Sequence, residues 1–566
     1  MMRKIAIAAG AVVLLAGGAY YGLFMLPDNQ FRAGLDQALA ELPQGYSGHY
    51  GSAHYSLLSH VATVTDLSIK GPGPAALNET IAKIVIDRPA LDFADSWARA
   101  EADPAALKPD QALPVADRIA VDGITMNGGG TTGRLASASL AKARVYPWAL
   151  LRPGMPALKD VGQVLAASMA AQQKIAAQQK QMLEQAQKPQ TAEDGDTAQT
   201  APDIGPSPVD IAALQKQSLD ALLPVLRLEA ALFLAMGYDS FDGAGLDATV
   251  TVPEGTGTPF GNIHVAMAKF HAGALDRAVG GANTVESLSE DLGPAGKISV
   301  DRAAIGDMKM RDTAMRLLNG DPLSMAMLDG ASFGAIEFNG IGVTIPAGGT
   351  ARLDKIALSG MAFDHSFLKS FGFTISGFKQ NVADLDPAAR ESLRKFHLKT
   401  ITANLGLDYR WDADKKTASL HDVAFSVAEL GSVQFNADLV NVDPAAGLAG
   451  MPGLARATLR YQDATLINRL LRADADERVK PQEMRQLREA YAANLLATLG
   501  PLASDPKLAD SVKAITDFAK MPRNLTIALT PPAPVPLITL KEVAAQGPQA
   551  LIDTLGLSIT ANQQSP

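Results

Sequence analysis

In stretch after stretch of this 566-residue chain, apolar side chains recur at every second position. Successive side chains of a β-strand point to opposite faces, so this period describes strands of a sheet that is greasy on one side and wet on the other. Within Tyr46–Lys70, Val61, Thr63, Thr65, Leu67 and Ile69 fall on one face, and Ala62, Val64, Asp66 and Ser68 on the other. The alternation returns at Ile84–Leu91 (broken by Pro89), Ile119–Met126, Ile298–Met310, Ile336–Ile345, Leu353–Phe363, Phe371–Phe378 and Leu398–Trp411. Its form is apolar-x-apolar, then Asp or Asn, then Gly or another residue, then apolar-x-apolar. The spacing between units is irregular, which argues against a propeller or a fixed-period solenoid. Leu398–Leu439 is the clearest piece. Leu405, Leu407, Tyr409 and Trp411 alternate up to a turn at Asp412–Thr417, Leu420, Val423 and Phe425 return, and Val433 and Phe435 follow Gly431 in a further strand. This is a meander. The candidate apolar sheet face is Leu67, Ile69, Leu405, Leu407, Tyr409, Trp411, Val433 and Phe435.

Helical spacing interrupts the strands. Phe31, Leu35, Leu39 and Leu42 mark a short helix ended by Pro43 and Gly45. Asp160–Gln187 is Gln/Ala-rich with a thin apolar stripe, and 188–206 has the polar, Pro-containing composition of a disordered linker. Ser207-Pro208-x-Asp210 is a helix start, and that helix runs to about Met236 with a kink expected at Pro224. Gly237–Pro253 reads as a hairpin. Near the C-terminus, Leu466–Leu471, Met484–Leu499 and a helix capped by Asp505-Pro506 precede the strand Leu525–Leu529, a Pro-rich edge and a last strand at Ser558–Ala561.

The chain opens with a different kind of pattern. Ile5–Leu26 is 22 residues without a charge, preceded by Arg3 and Lys4. As a helix it would reach about 33 Å, enough to cross a hydrocarbon core. Ile5, Val12, Leu14, Leu15, Tyr20, Phe24 and Leu26 are the expected membrane anchor, with the aromatic rings toward the far interface and the basic residues on the cytoplasmic side. A cleaved signal peptide is the alternative, with a small-x-small site at Gly17–Ala19. The expected fold is α+β: an N-terminal transmembrane helix, then an elongated, curved, mainly antiparallel sheet with packed helices. The expected divisions are 1–26 (anchor), 27–155 (β-rich), 156–236 (helices with the linker 188–206), 237–456 (β-rich, repeat-like) and 457–566 (helical with a terminal strand). The expected location is the bacterial inner membrane, single-pass, with the body in the periplasm.

No motif names a chemistry. With 50 basic against 59 acidic residues the net charge is −9 and there is no basic block, which argues against nucleic acid as a partner. The absence of cysteine removes thiol catalysis, Cys-based zinc sites and disulfides. His49, His54 and His60 cluster in sequence, but in a strand His54 and His60 would stand about 20 Å apart and His49 would face the other way, so no metal site is expected. Gly293–Ile298 lacks the first Gly and the Ser/Thr of a phosphate loop. Asp474-x-Asp476-Glu477 lacks the Gly and final Glu of a calcium loop. No catalytic residue and no cofactor is expected. An enzyme would most simply use Asp408, Arg410 and Asp412, which the alternation places on the wet face.

The N-terminal run, the short helix Phe31–Leu42 and the strands led by Tyr55-Ser-Leu-Leu58 into Val64-Thr-Asp-Leu-Ser-Ile69 resemble the AsmA-like single-anchor envelope proteins of Gram-negative bacteria. The likeness covers 1–130 and 298–440 and rests on hydrophobic patterning. It implies a β-groove and a role in moving phospholipid between membranes or in outer-membrane biogenesis, with membrane lipid and other envelope proteins as partners. The alternative is a non-enzymatic envelope scaffold whose apolar face is covered by its own helices.

Overall fold

The computed structural model describes residues 28–563 except 41, 43–44, 72–77, 129, 156–207, 252–261, 347, 366, 395, 444–451 and 475–480. Its twenty-six strands form one sheet. It begins with β1 (Ser47–His49) and β2 (Ser52–Ser56), both paired to β3 (Val61–Lys70), and continues through β4 (Asn78–Pro89), β5 (Leu113–Gly128) and β6 (Thr131–Val145). The next long strands are each interrupted once. They are β7 and β8 (Met236–Tyr238, Ser240–Val250), β9 and β10 (Ile263–Ala272, Leu275–Asp276), β11 and β12 (Val279–Gly280, Asn283–Asp291), β13 and β14 (Lys297–Ile305, Met308–Lys309), β15 and β16 (Ser332–Phe333, Ile336–Ile345), and β17 and β18 (Gly349–Leu358, Met361–Asp364). The series ends with β19 (Phe367–Asn381), β20 (Thr400–Asp412), β21 (Thr417–Val427), β22 (Gly431–Val440), β23 (Gly453–Asp463), β24 (Asn524–Leu529), β25 (Val535–Pro536) and β26 (Leu557–Ala561). Neighbours in the sheet are neighbours in the chain and run antiparallel. Among the described residues nothing pairs β1 or β2 with β26, so the sheet stays open.

A row of backbone irregularity crosses the middle of the sheet. Asp66, Gly123, Gly245, Ser287, Gly340 and Gly377, one on every second long strand, are left-handed, with φ between 53° and 69°. A side chain on Gly123 or Gly245 would meet Ala82 or Ala136 of the intervening strands, and one on Gly340 or Gly377 would meet the Asp301 or Asp354 side chain. Between β3 and β13 each strand carries one extra residue at this row, so all of them switch the phase of their alternation together. The register is therefore unchanged: Thr65 faces Lys83 and, past the row, Leu67 faces Ile81. β20 and β22 carry no extra residue, and true β-bulges appear at β19/β20, β20/β21 and β21/β22. Asn404 and Asn436 accept hydrogen bonds there from the backbone N–H groups of Gly377 (2.8 Å) and Asp422 (2.9 Å).

This row corrects the expected face of the first hairpin. The left-handed turn at Asp66 puts Ala62 and Val64, not Val61, Thr63 and Thr65, on the buried side with Leu67 and Ile69. Gly237–Pro253 is likewise no hairpin. Met236–Tyr238 and Ser240–Val250 lie end to end along β6, and Gly245 belongs to the mid-strand row. A second row, nearer one end of the strands, is set by glycines where two backbones nearly touch. A methyl group on Gly334 would lie 2.6 Å from both the Asp307 N and the Gly306 Cα.

Helices cover the two ends of the sheet. Phe31 and Leu35 of α1 (Asp28–Ala40) and Phe93 and Trp97 of α2 (Phe93–Ala102) pack with Val64, Leu67, Ile84, Ile119 and Val121 in one buried cluster. The short α3 (Pro147–Leu151), the long α4 (Pro208–Ala235) and α5 (Arg311–Asn319) form a second cluster along one rim. The exposed α6 (Pro387–Arg394) follows β19. At the far end stand α7 (Leu466–Asp474), α8 (Pro481–Ala503), α9 (Pro506–Lys520), α10 (Leu540–Ala545) and α11 (Pro548–Leu555). Asp505 caps α9 by accepting from the Lys507 N–H at 2.8 Å.

The expected transmembrane helix is not part of this architecture. No described helix is long and apolar enough to cross a membrane. Pro208–Ala235 has the length, with 28 residues, but carries Asp210, Lys216, Asp220, Arg227 and Glu229. Ile5–Leu26 lies outside the described residues, as do the Gln-rich helix expected at 160–187 and the linker 188–206. The fold is thus a large antiparallel sheet with helices at its ends and along one rim, and the single-pass inner-membrane placement is corrected with it, since no described element provides the anchor.

The close backbone approach gives a direct test. Replacing Gly334 by Ala forces two backbones apart and is expected to cost about 1–3 kcal/mol. Gly342→Ala meets only the Ser299 hydroxyl, which can rotate, and should change stability by less than about 0.5 kcal/mol. Urea unfolding midpoints of the two variants compare them.

Candidate functional site

Between the helix-covered ends the apolar face forms a continuous strip. One cross-strand row runs Val285–Ala303–Phe338–Ile356–Ile375–Leu405–Phe425–Val433–Tyr461, each residue opposite the next. At about 4.8 Å per strand it spans roughly 38 Å. Beside it runs Ile305–Ile336–Leu358–Phe373–Leu407. The spacing within strands follows from period two, and the matching of one strand's apolar residues to the next follows from the constant register.

The strip is partly open. Leu405 is 38% exposed, Phe425 51% and Ile305 44%, while Phe338, Ile356, Phe373, Leu407, Tyr409 and Val433 are half-buried. The hydrophobic clusters that include helix side chains involve the terminal strands and one rim, not this central stretch. Leu67 is buried in one cluster with the N-terminal helices, and Ile69 is buried beside it. Phe435 packs with Leu537 and Leu540 at the covered C-terminal end. Trp411 is 6% exposed, lies edge-on to Phe367 and donates its indole N–H to the Val442 carbonyl at 3.1 Å, so it closes one margin of the strip. Of the eight residues expected on the apolar face, Leu405, Leu407, Tyr409 and Val433 therefore meet in the open section. Burial pushes the Tyr409 hydroxyl up from its ordinary range.

The opposite face is polar and cross-linked by exposed charge pairs, among them Lys355–Glu337 (2.7 Å), His264–Asp247 (3.2 Å) and His271–Asp242 (2.6 Å). Asp408, Arg410 and Asp412 lie on this side or at its margin. Arg410 pairs with Asp408 at 3.0 Å, and Asp412 binds Lys415 at 2.9 Å, whose ammonium holds the Asp412 carboxyl below the usual range. His54 does not join His49 and His60 but contacts the Asp28 carboxylate at 3.0 Å. Among the described residues no group of three His, Cys, Asp or Glu is placed to hold a metal ion.

Three polar residues on the apolar face escaped the sequence reading. Glu79, between Ile69 and Met126, is 6% exposed, and its Oε2 has no hydrogen-bond partner among the described residues. Glu290 lies half-buried between Val265 and Ile298. Gln380, between Ala351 and Ile401, donates to the Gly348 carbonyl at 3.3 Å. For Glu290 and Gln380 the phase switch at the mid-strand row hides them, because a count by twos from the strand start assigns them the wrong face; Glu79 precedes the switch in β4 and lies ahead of the alternation read at Ile84–Leu91.

A protein-family model described as "Uncharacterized protein" matches residues 424–562, from the return strand of the meander through the C-terminal helices. No curated protein matches the chain.

Burial raises the Glu79 carboxyl above its ordinary value of 4.5, since removal from water penalises the charged form. The folded state then binds this proton more tightly than the unfolded chain, so stability falls as pH rises from about 4.5 through the raised folded value. Glu79→Gln removes that loss. Its melting temperature should match wild type near pH 4 and exceed it increasingly toward pH 8, as read by thermal scans across pH.

Proposed function

We propose that the open apolar strip binds the hydrocarbon chains of amphiphilic molecules, phospholipids above all, and carries or presents them along the sheet. The observation behind this reading is the unbroken row from Val285 to Tyr461, whose central members are large, apolar and not packed under any described helix. Each methylene moved from water onto such a surface contributes about 0.8 kcal/mol, so a chain of a dozen carbons is held firmly without any specific polar contact. The strip needs no reacting group for this task. Its strands are paired on both sides, interrupted only at the bulges of β19/β20, β20/β21 and β21/β22, so most backbone groups beneath it are satisfied within the sheet. The likeness to AsmA-like envelope proteins points the same way.

The full chain incubated with vesicles containing a trace of fluorescent phospholipid is expected to extract the label and to carry bound lipid detectable by mass spectrometry. Leu405→Asp and Phe425→Asp place a charge on side chains already 38% and 51% exposed, so the sheet should fold as before by circular dichroism. Each is expected to lower lipid uptake several-fold. A wild-type chain that takes up no lipid would refute the reading and leave the strip as a surface for protein partners.

A further inference from the structure

The polar residues of the apolar face are not scattered. Cross-strand pairing places Glu79, Glu290 and Gln380 in one lateral row: Ile69–Glu79–Met126–Gly133–Ala248–Val265–Glu290–Ile298–Val343–Ala351–Gln380–Ile401. Every other member is apolar or Gly. Five strand steps separate Glu79 from Glu290 and four separate Glu290 from Gln380, roughly 24 and 19 Å at about 4.8 Å per step. Only the second span is open: Met126, Ala248 and Val265 between Glu79 and Glu290 are buried, whereas Ile298, Val343 and Ala351 between Glu290 and Gln380 are half-buried, and an acyl chain of about 15 Å, the hydrocarbon thickness of one leaflet, fits on them.

On the reading that the strip holds acyl chains, we propose that Glu290 selects amphiphiles whose head carries a primary ammonium group. Glu290 has apolar residues on both neighbouring strands, Val265 and Ile298, and forms no ion pair with any described residue. A carboxylate so placed lacks a counter-charge, and an ammonium with its three N–H donors supplies both the charge and the hydrogen bonds. A head bearing only an anionic phosphate would instead bring like charge to it. Glu79 and Gln380 are buried, at 6% and 8% exposure, which leaves Glu290 as the accessible one of the three. The acyl chain then lies across the strands from Glu290 toward Gln380.

The test uses the full chain and vesicles that carry phosphatidylethanolamine and phosphatidylglycerol of identical acyl composition, with uptake of each measured by mass spectrometry. Wild type is expected to take up the amine-headed lipid at least threefold in preference. Glu290→Gln should abolish the preference by lowering uptake of the amine-headed lipid to that of phosphatidylglycerol, and Glu290→Lys should invert it. Equal uptake of the two lipids by wild type, or a preference that survives in both variants, overturns the proposal while the acyl-binding reading stands. Uptake of neither lipid overturns both. Unchanged circular dichroism and melting temperature in Glu290→Gln exclude misfolding as the cause of a lost preference.

Discussion

Backbone hydrogen bonding between chain-adjacent antiparallel strands is the interaction on which everything else here rests. Each strand satisfies its N–H and C=O groups on the strand before and the strand after, and no described pairing reaches across the chain. Such a sheet can lengthen without a topological limit, but an irregularity in one strand must be met by its neighbours. The mid-strand row shows how. From β3 to β13 an extra residue is present in every strand, so pairing resumes in the same register beyond it. Where the extra residue is present in only one of two neighbours, as beside β20 and β22, the ladder shifts by one and a bulge results. Left-handed backbone is least costly for glycine, which accounts for Gly123, Gly245, Gly340 and Gly377; Asp66 and Ser287 accept the strain.

The helices act on the ends and along one rim rather than over the central face. A sheet with one apolar face must cover that face or leave it in water. Phe31, Leu35, Phe93 and Trp97 cover it at the N-terminal end, and Phe518, stacked edge-on against Tyr461, with Leu540 covers it at the C-terminal end. The stretch between them keeps large aliphatic and aromatic side chains half-exposed. A contiguous apolar surface of that extent on a folded chain ordinarily marks a binding site, and this is the basis of the lipid reading.

The polar face has a different task. Its pairs, such as Lys379–Asp354 at 3.4 Å and His264–Asp247 at 3.2 Å, are exposed, so each contributes little to stability. They hold no buried charge and converge on no shared centre. Their effect is to keep one side of a broad sheet hydrated and to discourage the register slips that would bring apolar residues to it.

What the amino-acid order determined by itself was local: alternation marked many of the strands, though not β6, β9 or β12, and in β20 and β22 it groups Leu405, Leu407, Tyr409 and Trp411, and Val433 with Phe435, on one face. Those strands carry no extra residue, so counting by twos holds from end to end. In β3 the same count misassigned Thr63 and Thr65, because a left-handed Asp66 leaves no signature in composition and shows only when a neighbouring strand is in place. The Asp/Asn-Gly element of the repeat did mark the row at Asp122-Gly123 and Asn339-Gly340, although its role as a phase switch follows only from the pairing. Which part of the greasy face is sealed and which is open, and the alignment of Glu79, Glu290 and Gln380 in one row, were settled by tertiary structure alone. Both depend on contacts between residues tens or hundreds of positions apart, and nothing in the local pattern encodes which helix returns to which strand.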